Sequence, residues 1–170
     1  MGKPCAPDVA LLFVGMLYGQ EEYLSISEDK LREAFGESVL ESSPMPWDYS
    51  DYYRPELGSP LWRKFIFFRD MISPETLCSI KLITNRIEES LSIGGKRHIN
   101  IDPGYLTLHS VVLASTKNYS HRIYMGRGIY EEVTLVYSNG KYRPHLFTYR
   151  DYSCDEYMEL FVRARKFLEA

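Results

Sequence analysis

The order of periodic segments predicts a single α/β sandwich: a ferredoxin-like β-α-β-β-α-β centre extended by a C-terminal β-hairpin and helix. Three observations carry this prediction. The run Val9 to Tyr18 is almost wholly apolar, as in a strand covered on both faces. The segment Ser73 to Gly95 places Leu77, Ile80, Thr84, Ile87 and Leu91 at steps of three and four. Asn139-Gly140 sits between two β-prone runs, the signature of a type I′ hairpin.

The chain has 170 residues, the length of one domain that needs no staple, since a domain of this size buries about 70% of its unfolded surface. Its composition is that of a globular protein, 45% hydrophobic and 25% charged, with 14 tyrosines. A net charge of -3 disfavours broad adhesion to nucleic acid or anionic lipid. The three cysteines, Cys5, Cys78 and Cys154, are widely separated and form no C-x-x-C pair. They support neither a disulfide framework nor a zinc knuckle, and they suit a reducing cytoplasm. The apolar run Val9 to Tyr18 is too short to span a bilayer and has no convincing cleavage site after it.

After strand one, "SISEDKLREAFG" predicts a helix capped by the box Ser25 and Glu28 and stopped by Gly36, with Leu31, Ala34 and Phe35 on one face. "ESVLESS" predicts a second strand. The next 17 residues, Pro44 to Pro60, contain four prolines, each of which removes a backbone donor, so a long loop is expected. Its Trp47, Tyr49, Tyr52 and Tyr53 predict that it packs down rather than staying disordered. "LWRKFIFFRD" reads as strand three, and Ser73 and Pro74 cap the helix that ends on Gly94-Gly95. "RHINID" reads as strand four. Residues 105–116 fit a strand or a short helix capped by Thr107, and so short a run does not decide between them. Pro144 places the second hairpin strand at an edge. The final helix opens with Ser153 and Glu156 and predicts a buried stripe of Tyr157, Leu160, Phe161, Ala164, Phe167 and Leu168.

"LLFVGMLY" at strand one has the texture of the first strand of an RNA-recognition motif. Strand three decides against it: "RKFIFFRD" spaces Phe65 and Phe67 suitably but has no glycine to leave the strand open. Packing explains the first strand as well, and nucleic acid is disfavoured as a partner.

The densest polar text follows strand four. Lys117, His121, Arg122 and Arg127 place four potential cations within eleven residues, an arrangement suited to an anionic ligand. Gly126 and Gly128 permit a tight backbone whose amides would approach the same anion. If this stretch is extended, His121 and Arg122 point to opposite faces, so His121 is expected to work with Lys117 or Arg127. Asp48, Asp51, Asp102, Glu131 and Glu132 are candidate acid-base or oxygen-ligand groups, and one of the adjacent glutamates is expected to face inward onto a partner such as Arg122. Asp102 before Pro103-Gly104, like Asp48, also fits a turn residue that bonds its own backbone. The candidate catalytic set is His121, Asp102 and Glu132; the ligand-binding set adds Tyr105, Asp48, Asp51 and Tyr53 to the cations and glycines. The four histidines show no metal-ligand spacing, and no G-x-S-x-G elbow is present.

The blocks "SSPMPWDYSDYYRPELG", "KLITN" and "NIDPGYLTLHSVVLASTKNYSHRIYMGRGIYEEVTLVY" carry a resemblance, over essentially the full length, to a small prokaryotic domain-of-unknown-function family. Some of its members bear the label GTP-binding protein. A P-loop requires G-x-x-x-x-G-K-[ST], whereas "SLSIGGKR" has Ser90 in place of the first glycine and Arg97 in place of the hydroxyl residue. "STKNYS" is not the Asn-Lys-x-Asp triplet that reads guanine. Nucleotide binding here would therefore use Lys117 to Gly128, with magnesium as the cofactor a nucleotide would bring. Two functions are expected to compete: a cytoplasmic protein binding a phosphorylated or nucleotide-like anion, and a non-catalytic interaction or self-association module using the tyrosine-rich loop.

Overall fold

The computed structural model describes residues 2–169. Nine strands form one antiparallel sheet, in which β1 (Ala10–Tyr18), the central strand, is buried along its whole length. Going outward, β4 (Leu61–Ile72) and then β2 (Ser38–Glu41) lie to one side of β1. On the other side come β5 (Ile99–Leu106), β6 (Ser110–Ser115), β8 (Ile129–Ser138) and β7 (Ile123–Gly126). Two short strands, β3 (Met45–Trp47) and β9 (Lys141–Arg143), pair with β4 and β8.

Strand alternation divides the core in two. Leu12, Val14, Met16 and Tyr18 of β1 point to the face covered by α1 (Glu21–Phe35) and α3 (Leu77–Ser90). Leu11 and Phe13 point to the opposite face, under α4 (Asp155–Arg165). There Phe13, Phe65 and Phe67 pack against Phe161 at ring separations of 5.0 to 5.7 Å. These are the rings that an RNA-binding sheet would expose, and α4 covers them.

Several local expectations are corrected. The first helix begins at Glu21, a turn before Ser25, so the Ser25–Glu28 box caps nothing; Glu28 instead pairs with Lys64 at 2.5 Å. Ala34 of the same helix is exposed. The proline-rich segment adds β3 to the sheet, and Pro46 is tolerated because that strand lies at an edge. It then forms a 3₁₀ turn (Asp51–Tyr53) and the four-residue α2 (Arg54–Leu57). Ser73 makes no side-chain cap; a 3₁₀ turn over Pro74–Thr76 opens the helix. The final helix starts after Cys154 without a side-chain cap, Ser153 bonds the Tyr149 carbonyl, and Phe167 is 38% exposed. Residues 105–116 are strand, turn and strand, with the Thr107 hydroxyl accepting from the His109 and Ser110 amides. The hairpin stands as expected, Asn139 and Gly140 having φ of 50° and 80°.

The most consequential correction concerns Asp102-Pro103-Gly104. It is not a turn: β5 runs straight through it, paired with β1 from Leu106 back to Ile99. Only the pairing with β6 ends there, at Gly104 opposite Leu113. Ala114 would be the next partner, and Pro103 has no N–H to offer it. β6 therefore diverges from β5 while staying paired with β8 as far as Ser115, and a cleft opens inside the sheet.

Candidate functional site

Opening a sheet exposes backbone groups that must be satisfied. Ile101 faces the gap two residues before Pro103, and side chains of α3 replace its missing neighbour. Glu88 Oε1 accepts from the Ile101 amide at 2.6 Å, and Lys81 Nζ donates to the Ile101 carbonyl at 2.9 Å. Lys81 and Glu88 lie on the buried stripe of α3, in step with Leu77, Thr84 and Leu91, which is why both are buried despite their charge. Burial pushes the Glu88 carboxyl above its usual value, against the pull of Lys81 and Arg97.

The cleft widens into a cavity of about 670 Å³ between the free edge of β5 and the end of β6, with α3 on one face of the sheet. The other face contributes Trp47 to Tyr53 of the proline-rich segment and Tyr149 to Tyr152 ahead of α4. Arg63 of β4 forms part of its floor. Gly15 lies on β1 between Phe65 of β4 and Asp102 of β5, and a Cβ there would sit 3.3 Å from the Arg63 guanidinium. The bare Gly15 backbone thus lets Arg63 lie across the central strand and donate to Asp151 at 3.1 Å and to Asp102 at 3.5 Å. Burial works against its charge, but Asp151 above all, with Asp102, holds the guanidinium above its usual value. Trp47 Nε1 also donates to Asp151, at 2.9 Å, and Asn100 donates to Asp102 at 2.6 Å. Arg97 joins this floor to α2, donating to both oxygens of Glu56 and to Glu88 and Asn100.

A second cluster forms the β6–β8 wall. His121 Nε2 and Arg122 Nε both meet Glu132 Oε2, at 2.7 and 2.6 Å. Arg122 also donates to the Ser115 hydroxyl, the Lys117 carbonyl and the Tyr149 hydroxyl. His121 and Arg122 precede β7 in a turn, so the opposite-face rule for strands does not separate them. Glu132 is the inward-facing member of the glutamate pair toward the cleft, and Arg122 is its partner, as expected. Glu131 points to the α3 face instead, buried with one oxygen unbonded, and burial pushes it up to about 7.

Of the residues singled out from sequence, Tyr53, Asp102, Lys117 and Glu132 line the cavity, and His121 and Arg122 stand behind Glu132. The others are elsewhere. Gly126, Arg127 and Gly128 form the β7–β8 turn, all at positive φ, where Arg127 donates to Ser79. Arg127 therefore cannot be the partner of His121. Asp48 and Asp51 pair with exposed Arg54 at 2.6 and 2.9 Å, and Tyr105 packs into the α3-side core. Sequence reasoning missed Arg63, Lys81, Glu88, Arg97, Asn100 and Asp151. A signal existed for two of them: Lys81 and Glu88 are the charged residues on a stripe that otherwise carries only apolar side chains and Thr84. Among the described residues no three His, Cys, Asp or Glu side chains gather as a metal site, and no helix is long and apolar enough to cross a membrane.

Among the described residues the fold and cleft define a mixed α/β protein with four helices on an antiparallel sheet of nine strands, opened between two neighbours to form a cavity lined by both charged and aromatic side chains. The chain belongs to the family described as Domain of unknown function (DUF4416), whose model matches residues 8–167. No curated protein and no solved structure matches it.

Proposed function

We propose that the protein binds a small phosphorylated or nucleotide-like anion in the β5–β6 cleft, with the segment from Asp48 to Leu57 as its cover. The observation that carries this reading is the unequal state of the wall's donors and acceptors. Glu88, Asp102, Glu132 and Asp151 are each already bonded to donors, leaving only exposed Glu89 among the wall carboxylates. Lys117 and Arg150 also line the cavity, and neither has a carboxylate partner among the described residues. Lys117 reaches across the mouth to the cover, 3.3 Å from the Tyr52 hydroxyl and 4.6 Å from its ring centre. The Tyr53, Tyr149 and Tyr152 phenols, protonated at neutral pH as any phenol is, are raised further by burial and stay donors well into the alkaline range. A wall of spare donors and filled acceptors suits an acceptor-rich ligand. Because the bonds to Glu132 and Asp102 occupy the groups nearest to a general base, the reading is binding rather than proton transfer.

Thermal shift against a panel of nucleotides and phosphorylated metabolites, with and without magnesium, tests it. A midpoint rising with ligand concentration is expected. A flat response to every phosphorylated compound refutes it.

A second reading, a surface for another protein, is favoured by the free edge of β7, where Ile123, Tyr124 and Met125 are exposed. The tyrosine-rich segment supports it less, since Trp47 is buried, Tyr49 and Tyr53 are half-buried and Tyr52 alone is exposed. A stable oligomer in size-exclusion chromatography, dissociated by Tyr124→Lys, would favour this reading over the first. At the level of topology, the order β2-β4-β1-β5 with α1 and α3 on one face supports reading the centre as ferredoxin-like.

A further inference from the structure

Resting on the cleft reading, we infer that the bound compound is a phosphomonoester held phosphate-outward, with an uncharged, acceptor-bearing body inserted to the floor. The cavity's charges divide in that way. At the floor, Arg63 and Lys81 face Asp102 and Asp151 at 3.1 to 3.7 Å, two cations against two carboxylates. A phosphate brought there would lose its water and find no spare positive charge. The acceptors of the floor are nevertheless already taken. Arg63 and Tyr152 are 3% and 2% exposed, both line the cavity, and neither the Arg63 Nε nor the Tyr152 hydroxyl has a partner. Buried polar groups of this kind are normally bonded, and leaving one unmade is costly. Both atoms are covered by neighbouring protein, so a neutral carbonyl, ether or hydroxyl oxygen meets them once these side chains turn toward the cavity, and does so without adding charge.

The mouth has the opposite character. Lys117 and Arg150 are exposed, and Arg122 ties together the chain segments that carry them, bonding the Lys117 carbonyl and the hydroxyl of Tyr149 beside Arg150. A point charge and a planar guanidinium together suit a phosphate dianion.

The test is calorimetric titration of the full chain with AMP, GMP, ribose 5-phosphate and glucose 6-phosphate, each against a bisphosphate of the same body. At least one monophosphate is expected to bind, with its bisphosphate no tighter. Tyr152→Phe should weaken that monophosphate roughly tenfold, the worth of one hydrogen bond, without lowering the unliganded melting midpoint. Lys117→Ala combined with Arg150→Ala should weaken it by roughly tenfold or more and flatten its salt dependence. A bisphosphate binding more than tenfold tighter, or unchanged affinity in Tyr152→Phe, overturns the orientation while leaving the cleft as an anion site. Failure of every phosphate ester to bind overturns both.

Discussion

Replacing Glu131 with glutamine should stabilise the protein above pH 7 and leave it unchanged below pH 4.5. Glu131 is 8% exposed, one of its carboxyl oxygens has no partner, and burial alone accounts for its rise to about 7. Alternation on β8 places it with Ile129 on the α3 face, opposite Ala114 of β6 and Ile123 of β7. The Tyr105 phenol is raised by burial and then by the Glu131 charge. A carboxyl raised in the folded state holds its proton there after the unfolded chain has released it. Its contribution is intact below the unfolded value of 4.5 and is lost as pH rises toward about 7. At ~1.4 kcal/mol per pH unit this amounts to ~3 kcal/mol, and ~2 kcal/mol is a working figure if water reaches the ionised group. Glutamine keeps the shape and removes the charge. Urea unfolding at pH 5, 6, 7 and 8 should show the wild type losing stability across that range relative to Glu131→Gln. At pH 8 the variant should melt roughly 4 to 8 °C higher. Parallel curves for the two proteins at every pH would refute the reasoning, since they would mean that Glu131 ionises freely in the fold.

Other predictions concern the split sheet. Lys81→Met removes the donor on the Ile101 carbonyl and one cation beside Asp102, 3.7 Å away; because Asp102 is partly solvated, a loss of ~2 kcal/mol is expected in urea unfolding, below the 3 to 5 typical of a fully buried pair. Gly104→Ala would bring a Cβ within 2.4 Å of the Val112 carbonyl and 2.5 Å of the Phe13 ring, at the last β5–β6 pair. It should cost ~1 to 3 kcal/mol, read from the denaturant midpoint, and wild-type stability would show that the strands can part there at no cost. Lys117→Ala at the mouth should change stability by less than ~1 kcal/mol, because the contact with Tyr52 is exposed. An effect much larger than this would make Lys117 a structural residue rather than a ligand-facing one.

Much of the fold was legible because its signals are local. The apolar run of β1, the three-four spacing of α3, the Asn139-Gly140 turn and the stripe Tyr157 to Ala164 each state their geometry within a few residues. Where two local signals competed, the nearer one misled. Ser25 and Glu28 have the spacing of a cap, yet Leu24 is buried on the same face as Leu31, and that packing extends the helix a turn earlier. Asp102-Pro103-Gly104 has the composition of a turn, but β1 pairs with it throughout.

The sequence by itself determined the first strand, the helices α1, α3 and α4, the Asn139-Gly140 hairpin and the mixed α/β class, and that the positive groups after strand four lie near a carboxylate. Tertiary structure alone decided that Pro103 parts β5 from β6, that Lys81 and Glu88 replace the lost strand, and that Arg63 crosses Gly15 to reach Asp102 and Asp151. The reason is one of range. A helix or a turn is set by neighbours three or four residues apart, whereas a strand's hydrogen-bonding edge is completed by a segment whose place in the sheet nothing in its own residues records.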